Sequence, residues 1–403
     1  TASNDDVNDF FRTGATFNNS ISVSGGTETV RTYFSYANSY SDGMMRNNNY
    51  KRNTLSFRQS YSLFNKKLNV DLSLNYVQAK TKNRPGGGTV MNPLYDLYRM
   101  PRNVDLNYYK ENYYIENGKW TSNEQSYFDS KNNKWTTGTV ELTGPKQEWA
   151  YWQNGMNNPY WMVNTRNSIS EEERAYGYIS ANYQIIDGLK IQGRLSLDRT
   201  KMKGTSERMA TTWNISAMED YGMYGQDLNW INEVYVDALL SYDKQIKDFS
   251  ISATTGWTGH TLKGETQKLW AKATTANWKH DTMPTLINFF EPSVSQGNVS
   301  ERSYTLSSNW DKGLLFTGQI GWQEKVYLEG SYRRDWYRAF KQYSYRGTPT
   351  NYGYFSVGAN ALLHQIVTLP EVITNLKVRA SYSEVGNSIP NVLYNARDRK
   401  SVV

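Results

Sequence analysis

The chain has no cysteine in its 403 residues, which excludes a disulfide framework and cysteine-based metal or redox chemistry. Histidine is scarce: only His260, His280 and His364 occur. No spacing among them sets two on one metal ion, and His260 and His280 fall at the edge of, or within, a long loop, where solvated histidine is the simpler reading. No stretch approaches the roughly 18 apolar residues of a membrane helix, and segments of helical hydrophobic period are nearly missing. No basic run occurs in the sequence. The net charge is +7 and the pI about 9.1, yet Lys and Arg are scattered singly among acidic residues, which speaks against a nucleic-acid partner. No serine nucleophile elbow is present. Pro85-Gly86-Gly87-Gly88-Thr89 lacks the Gly-Lys-Ser/Thr of a phosphate-binding loop and reads as a flexible hinge. Glu171-Glu172-Glu173 has oxygen ligands that suit Ca²⁺, against the simpler reading of a solvated acidic run ahead of a strand. Enzyme activity, cofactor and metal are therefore not expected.

What is present is aromatic and alternating. The chain holds 32 Tyr and 13 Trp, amphipathic rings that suit a membrane–water interface or contact with carbohydrate. Leu68, Val70, Leu72, Leu74 and Tyr76 take one face of a strand, and Asn69, Asp71, Ser73 and Asn75 the other. Leu189, Ile191, Leu195 and Leu197 oppose Lys190, Gln192, Arg194, Ser196 and Asp198 in the same way. Strands are expected at 16–24, 30–40, 50–63, 68–80, 175–185, 189–200, 233–245, 249–260, 313–322, 326–335, 353–367 and 376–385.

Their connections alternate between short and long. Tight turns at Ser24–Thr27, Phe64–Lys67, Ile186–Gly188 and Gln323–Lys325 interleave with long excursions at Thr81–Arg174, Lys201–Asn232 and Thr261–Trp310. An antiparallel strand reverses at every connection, so short turns gather at one end of the sheet and long loops at the other. Transmembrane β-barrels have this asymmetry; a β-sandwich does not. The mean hydropathy of −0.74 is compatible, because only alternate strand residues face lipid and long wet loops dilute the average. The expected fold is all-β: an antiparallel transmembrane β-barrel, incomplete, with about 12 strands of a larger barrel and long extracellular loops.

Four motifs then carry a resemblance. Thr16–Gly26, with Asn18-Asn19 and Ser20-Ile21-Ser22-Val23-Ser24-Gly25-Gly26, resembles the strand that opens the barrel region of the SusC/RagA family, the TonB-dependent outer-membrane transporters of Bacteroidetes. Asn158-Pro159-Tyr160-Trp161, Tyr327–Asp335 with its Arg-x-Asp ending, and Asn375–Tyr382 followed by Gly386-Asn387 match further family landmarks in the family's order. Trp336 and Tyr337 stand where the family has Gly-Ser-Ser after Arg-x-Asp, and Ser383-Glu384-Val385 replaces Gly-x-Thr. The family's plug and TonB-engaging segment are not in the sequence, nor are its final strands. The expected organisation is a polar lead-in over 1–15, a partial TonB-dependent receptor-like barrel over 16–397, and a non-native tail over 398–403, where Asp398–Val403 reads like a translated sequencing adapter. Thr1 opens without a signal peptide, as in a processed chain or an internal fragment.

The resemblance implies a multi-pass outer-membrane protein that imports oligosaccharides or oligopeptides, glycan uptake included, with a SusD-like surface lipoprotein as lid and the TonB complex as energy source. A passive porin or surface-binding barrel fits the strands equally, and a soluble carbohydrate-binding β-protein fits the aromatics. Trp120, Trp135, Trp149, Tyr151, Trp152, Tyr160 and Trp161 crowd the first long loop. Three readings of these rings stand: ligand stacking, partner contact, or the loop's own small core. Asp71, Asn75, Lys190, Arg194, Asp198, Lys377 and Arg379 are expected to line the lumen.

Overall fold

The protein is described by a computed structural model over residues 7–86, 91–121, 125–129, 131–139, 141–150, 155–214, 217–218, 221–272, 299–339, 350–370 and 372–386. It opens with β1 (Ala15–Gly26), β2 (Val30–Asp42), β3 (Asn49–Leu63) and β4 (Leu68–Lys82). The first long loop holds α1 (Pro93–Arg99), α2 (Leu106–Glu111), β5 (Tyr114–Thr121), β6 (Gln125–Asp129), β7 (Lys134–Gly138), β8 (Glu141–Gln147) and α3 (Pro159–Thr165). The wall resumes with β9 (Asn167–Ile186) and β10 (Leu189–Arg208). A loop with the short β11 (Trp213–Asn214) and β12 (Ala217–Met218) follows. Then come β13 (Met223–Ile246), β14 (Phe249–Lys272), β15 (Val299–Trp322), β16 (Val326–Tyr337), β17 (Asn351–Leu362) and β18 (Lys377–Ser383).

Twelve strands make one sheet in the order β1-β2-β3-β4-β9-β10-β13-β14-β15-β16-β17-β18, every neighbour antiparallel and next in the wall. The register makes the two faces chemically distinct. Leu74 stands opposite Phe57 and Gly177, Leu195 opposite Ile179 and Val236, and Phe316 opposite Thr255 and Tyr332. The apolar face continues across the wall without a second layer upon it among the described residues: Ile21, Leu197, Phe316 and Leu328 are half or more exposed. A soluble sheet would bury such a face. A membrane barrel turns it to lipid.

The turns follow from backbone chemistry. Two residues, Lys247-Asp248, close β13 onto β14, with Lys247 left-handed at φ 52°. Asp187-Gly188 closes β9 onto β10, with Gly188 at φ +83°. A Cβ there would also stand 2.7 Å from the Asp243 carbonyl oxygen, so conformation and space both require glycine.

Two expectations need correction. Strands extend well past the sequence boundaries: β13, β14 and β15 run 24 residues each, against the 10 to 13 expected. Above the lipid both faces meet water, so the ladder continues where the alternation fades. The short-and-long parity also fails once, because the connection from Leu363 to Leu376, on the short-turn end, includes a 3₁₀ turn (Leu363–Gln365) and is long.

A charge inserted on the two faces separates them. Leu195→Arg is expected to destabilise the folded protein in lipid vesicles by about 2–4 kcal/mol, and Ser196→Arg, one residue along on the other face, by well under half of that. Urea titration in vesicles reads both.

Candidate functional site

The first long loop is a small folded unit built around Asn158-Pro159-Tyr160-Trp161. Asn158 caps α3: its Oδ1 accepts the backbone N–H groups of Tyr160 (2.8 Å) and Trp161 (3.4 Å), and Pro159 occupies the first helical turn, where no N–H is needed. Asn158 Nδ2 donates to the Glu148 carbonyl at 2.8 Å, and its own N–H donates to Gln147 Oε1 at 2.9 Å. Tyr160 and Trp161, both 0% exposed, then point in different directions. Tyr160 packs with Phe10, Met45, Leu97, Leu106 and Val163, its ring 5.1 Å from that of Phe10. Trp161 donates its Nε1–H to Thr212 Oγ1 at 2.9 Å.

The same motif therefore fastens the first loop to the second, the β10–β13 connection. Gln147 adds to this seam: its backbone N–H reaches Thr211 Oγ1 at 3.0 Å, and its Nε2 donates to the Thr211 carbonyl and to Asn157 Oδ1. Asn157 accepts from the Trp213 N–H at 2.8 Å and donates to the Trp213 carbonyl at 3.1 Å. Trp120 and Leu142 close a mixed core with Ala210 and Tyr221 of the second loop, and Trp149 one with Val104 and Met156. The β2–β3 connection joins through Asn47 Nδ2, which donates to the Val163 carbonyl at 3.0 Å. Phe10 brings residues 7–12 to the same place, and Arg12 is pinned by Met44 and Gly43 carbonyls. Residues 7–12 of the lead-in are thus a packed part of the long-loop end.

Of the seven aromatic residues singled out in the sequence, Trp120, Trp149, Tyr160 and Trp161 are interior, at 3, 2, 0 and 0% exposure. Trp135 lies on β7, opposite Phe128 in the register, and Tyr151 and Trp152 lie outside the described residues. Among the described residues the loop displays other rings: Tyr98 on α1, Tyr108 on α2 and Tyr114 on β5 are 68, 48 and 45% exposed. Residue type alone gave no signal for them; for Tyr98 and Tyr108 the signal available was a place on a short helix capped by Asn92 or Asp105.

Asp96, almost fully buried on α1, accepts the Asn157 N–H at 3.0 Å. Burial pushes its carboxyl up to about 6, and the hydrogen bond from Asn157 offsets only part of that rise.

The inner face of the wall carries a second set of groups. Asp71, Arg194 and Asp198 share that face with Asn75 and Lys190, and Lys377 and Arg379 continue it on β18. Asp71 accepts from Ser60 Oγ at 2.6 Å. Arg194 pairs with the buried Asp237 at 2.7 Å, and Arg174 with Asp198. Arg333 Nε holds both oxygens of Asp335 at 2.9 and 3.0 Å, and Tyr354 donates to the same carboxylate at 2.7 Å. Gly313 lies beneath this pair; a Cβ would meet Asp335 Oδ1 at 2.5 Å. The Arg-x-Asp motif is thereby a luminal ion pair seated on a glycine.

Two sequence expectations change here. His260 is not a solvated loop residue: it sits in β14 with its ring nitrogens 2.8 Å from Glu233 and Asp311. Glu171-Glu172-Glu173 lies inside β9, and Glu171 is paired with Lys80 at 2.8 Å. His364 is in the 3₁₀ turn of the β17–β18 connection, and His280 lies outside the described residues. Among the described residues no group of three or more His, Asp or Glu side chains is arranged to hold a metal ion.

A two-faced antiparallel wall with long, mutually fastened loops at one end is the architecture of an outer-membrane β-barrel. Comparison with solved structures shows the same fold. A chain of the RagAB peptide importer in its "open-open" state superposes with a TM-score of 0.66 and 18% identity, covering 96% of this chain and 38% of that one. The "closed-closed" state gives 0.64 and 18%, covering 95% and 38%. A further structure, of the RagAB peptide transporter, gives 0.61 and 17%, covering 91% and 36%. The chain therefore spans little more than a third of each of these three solved chains. The SusC/RagA resemblance of the four motifs is shown at the level of fold. No family model matches the sequence, and no curated protein does.

Replacing Asn158 by Ala removes the two hydrogen bonds of the helix cap and the side-chain bond to the Glu148 carbonyl. The first loop is expected to lose about 2–3 kcal/mol, read as faster proteolytic nicking between 83 and 166 with the wall intact. Asp96 sets a pH dependence. Its folded value, about 6, exceeds the ordinary carboxylate value of about 3.9, so the folded loop holds a proton that the unfolded loop gives up. Stability then falls as pH rises from about 4 to about 6. Asp96→Asn flattens that slope in urea titrations followed by Trp fluorescence.

Proposed function

We propose that this chain forms part of the wall and outer mouth of an energised nutrient importer of the outer membrane, one that takes up oligopeptides or oligosaccharides. The observation that supports this most is the fastened long-loop end. A passive pore needs a wall and a constriction. It has no need of three connections tied into one body around Asn158, Gln147 and Trp161. Such a body suits a surface on which a lid protein closes, and a SusD-like lipoprotein is the proposed partner. Energy would reach the barrel through TonB, acting on a plug that the wall surrounds.

In this reading the four interior rings shape the loop, and contact with ligand or partner falls to what the loop displays, Tyr98, Tyr108 and Tyr114. The luminal ion pairs give the plug a polar, hydrogen-bonding wall to slide against. No covalent step is required, and the gate is set by differential affinity of the ligand for open and closed states. The protein is therefore proposed as a transporter and not an enzyme.

Uptake of labelled oligopeptides and oligosaccharides by cells carrying the intact gene tests the reading. Import that stops when the proton gradient is collapsed supports it; import that continues unchanged identifies a passive pore. Tyr98→Ala with Tyr108→Ala is expected to weaken capture of the ligand or the lipoprotein about tenfold with the barrel folded, on the scale of two aromatic contacts.

A further inference from the structure

The lipid-facing side of the wall does not end in neutral residues at its long-loop end. On β4 the apolar row runs Leu68, Val70, Leu72, Leu74, Tyr76, and two pleats further lies Lys80. On β10 it runs Ile191 to Leu197 and continues as Arg199, Lys201 and Lys203. The register aligns these rows. Lys51 of β3 stands opposite Lys80, Lys80 opposite Glu171, and Glu171 opposite Lys203. One pleat lower, Glu173 stands opposite Lys201; one pleat below that, Ala175 stands opposite Arg199. These residues share the parity of Leu74 and Leu197, so they project to the membrane side and not into the lumen. Four of them, Lys51, Lys80, Lys201 and Lys203, line a depression of about 350 Å³ together with Glu171, Glu172 and Glu173.

Height and charge together select the partner. From Tyr76 to Lys80 is four residues, roughly 13 Å along the strand and about 10 Å toward the outside at a tilt near 40°. The polar layer beyond the hydrocarbon is about 5–8 Å deep on each side, and lysine ammonium groups reach several ångströms from their backbone. Five cations, Lys51, Lys80, Arg199, Lys201 and Lys203, face two carboxylates, Glu171 and Glu173. Glu171 pairs directly with Lys80 at 2.8 Å and also feels Lys201 and Lys203, so the stripe keeps an excess of positive charge over its two carboxylates.

We propose that this stripe binds the phosphorylated headgroup of an anionic lipid in the outer leaflet. The lysines hold phosphate oxygens while the lipid's chains lie along Leu74, Leu197 and their neighbours. The proposal rests on the barrel reading and is independent of what the barrel imports.

The test uses the chain in neutral detergent with native mass spectrometry. The probes are a diphosphorylated acylated disaccharide lipid, its dephosphorylated form, and inorganic phosphate. The phosphorylated lipid is expected to stay bound where the dephosphorylated form is lost. Lys80→Gln, Lys201→Gln and Lys203→Gln combined are expected to weaken retention on the order of 100-fold, about fivefold for each cation. Lys190→Gln, Lys377→Gln and Arg379→Gln combined remove the same charge from the luminal face and are expected to leave retention unchanged. Equal loss in both sets, retention independent of phosphorylation, or displacement by an equal concentration of inorganic phosphate overturns the proposal. Solubility without detergent overturns the barrel reading and this one with it, so the two failures are told apart.

Discussion

In hydrocarbon an unpaired peptide N–H or C=O has no water to turn to, and each costs several kcal/mol. The sheet answers that constraint with continuous antiparallel ladders from β1 to β18. The other features follow. Because the ladder is antiparallel, its connections sort to two ends. Because side chains alternate, one face can be apolar for lipid and the other polar for a lumen. Leu195 and Ser196 are adjacent in the chain and meet two different solvents.

The long-loop end is under a different constraint. It stands in water, so its stability must come from its own burial and hydrogen bonding. Tyr160 and Trp161 leave α3 toward separate neighbours, Phe10 on one side and Thr212 on the other. The side-chain amides of Gln147, Asn157 and Asn158, all buried, accept the backbone N–H groups of Asn158, Trp213 and Tyr160, which no ladder reaches. Such groups are costly to leave unmet, which makes this seam specific as well as stable. The wall supplies rigidity below, and the seam carries it to the long-loop end.

Much of the wall was legible in the sequence because period-2 alternation is a local signal. All twelve wall strands were expected, and Leu68–Tyr76 faces as its pattern said. The outer halves of β13, β14 and β15 were not legible, since a strand wet on both faces has no apolar period to display. The Leu363–Leu376 connection escaped because its apolar residues, Ile366 and Val367, resemble strand. Asn158-Pro159-Tyr160-Trp161 was visible as a landmark, but not its work, which depends on Thr212 and Phe10 far away in the chain. His260 looked like a loop residue for the same reason: Glu233 and Asp311 come from neighbouring strands.

The central claim is that the wall crosses the membrane with its long loops outside, and the lack of cysteine makes a direct measurement clean. Single cysteines at Tyr98, Asp187 and Leu195 can be probed in intact cells with a maleimide that does not cross membranes. The account predicts labelling at position 98 only, with 187 labelled once the outer membrane is opened and 195 protected until detergent is added. Labelling at both 98 and 187 in intact cells, or at 195 without detergent, would contradict it.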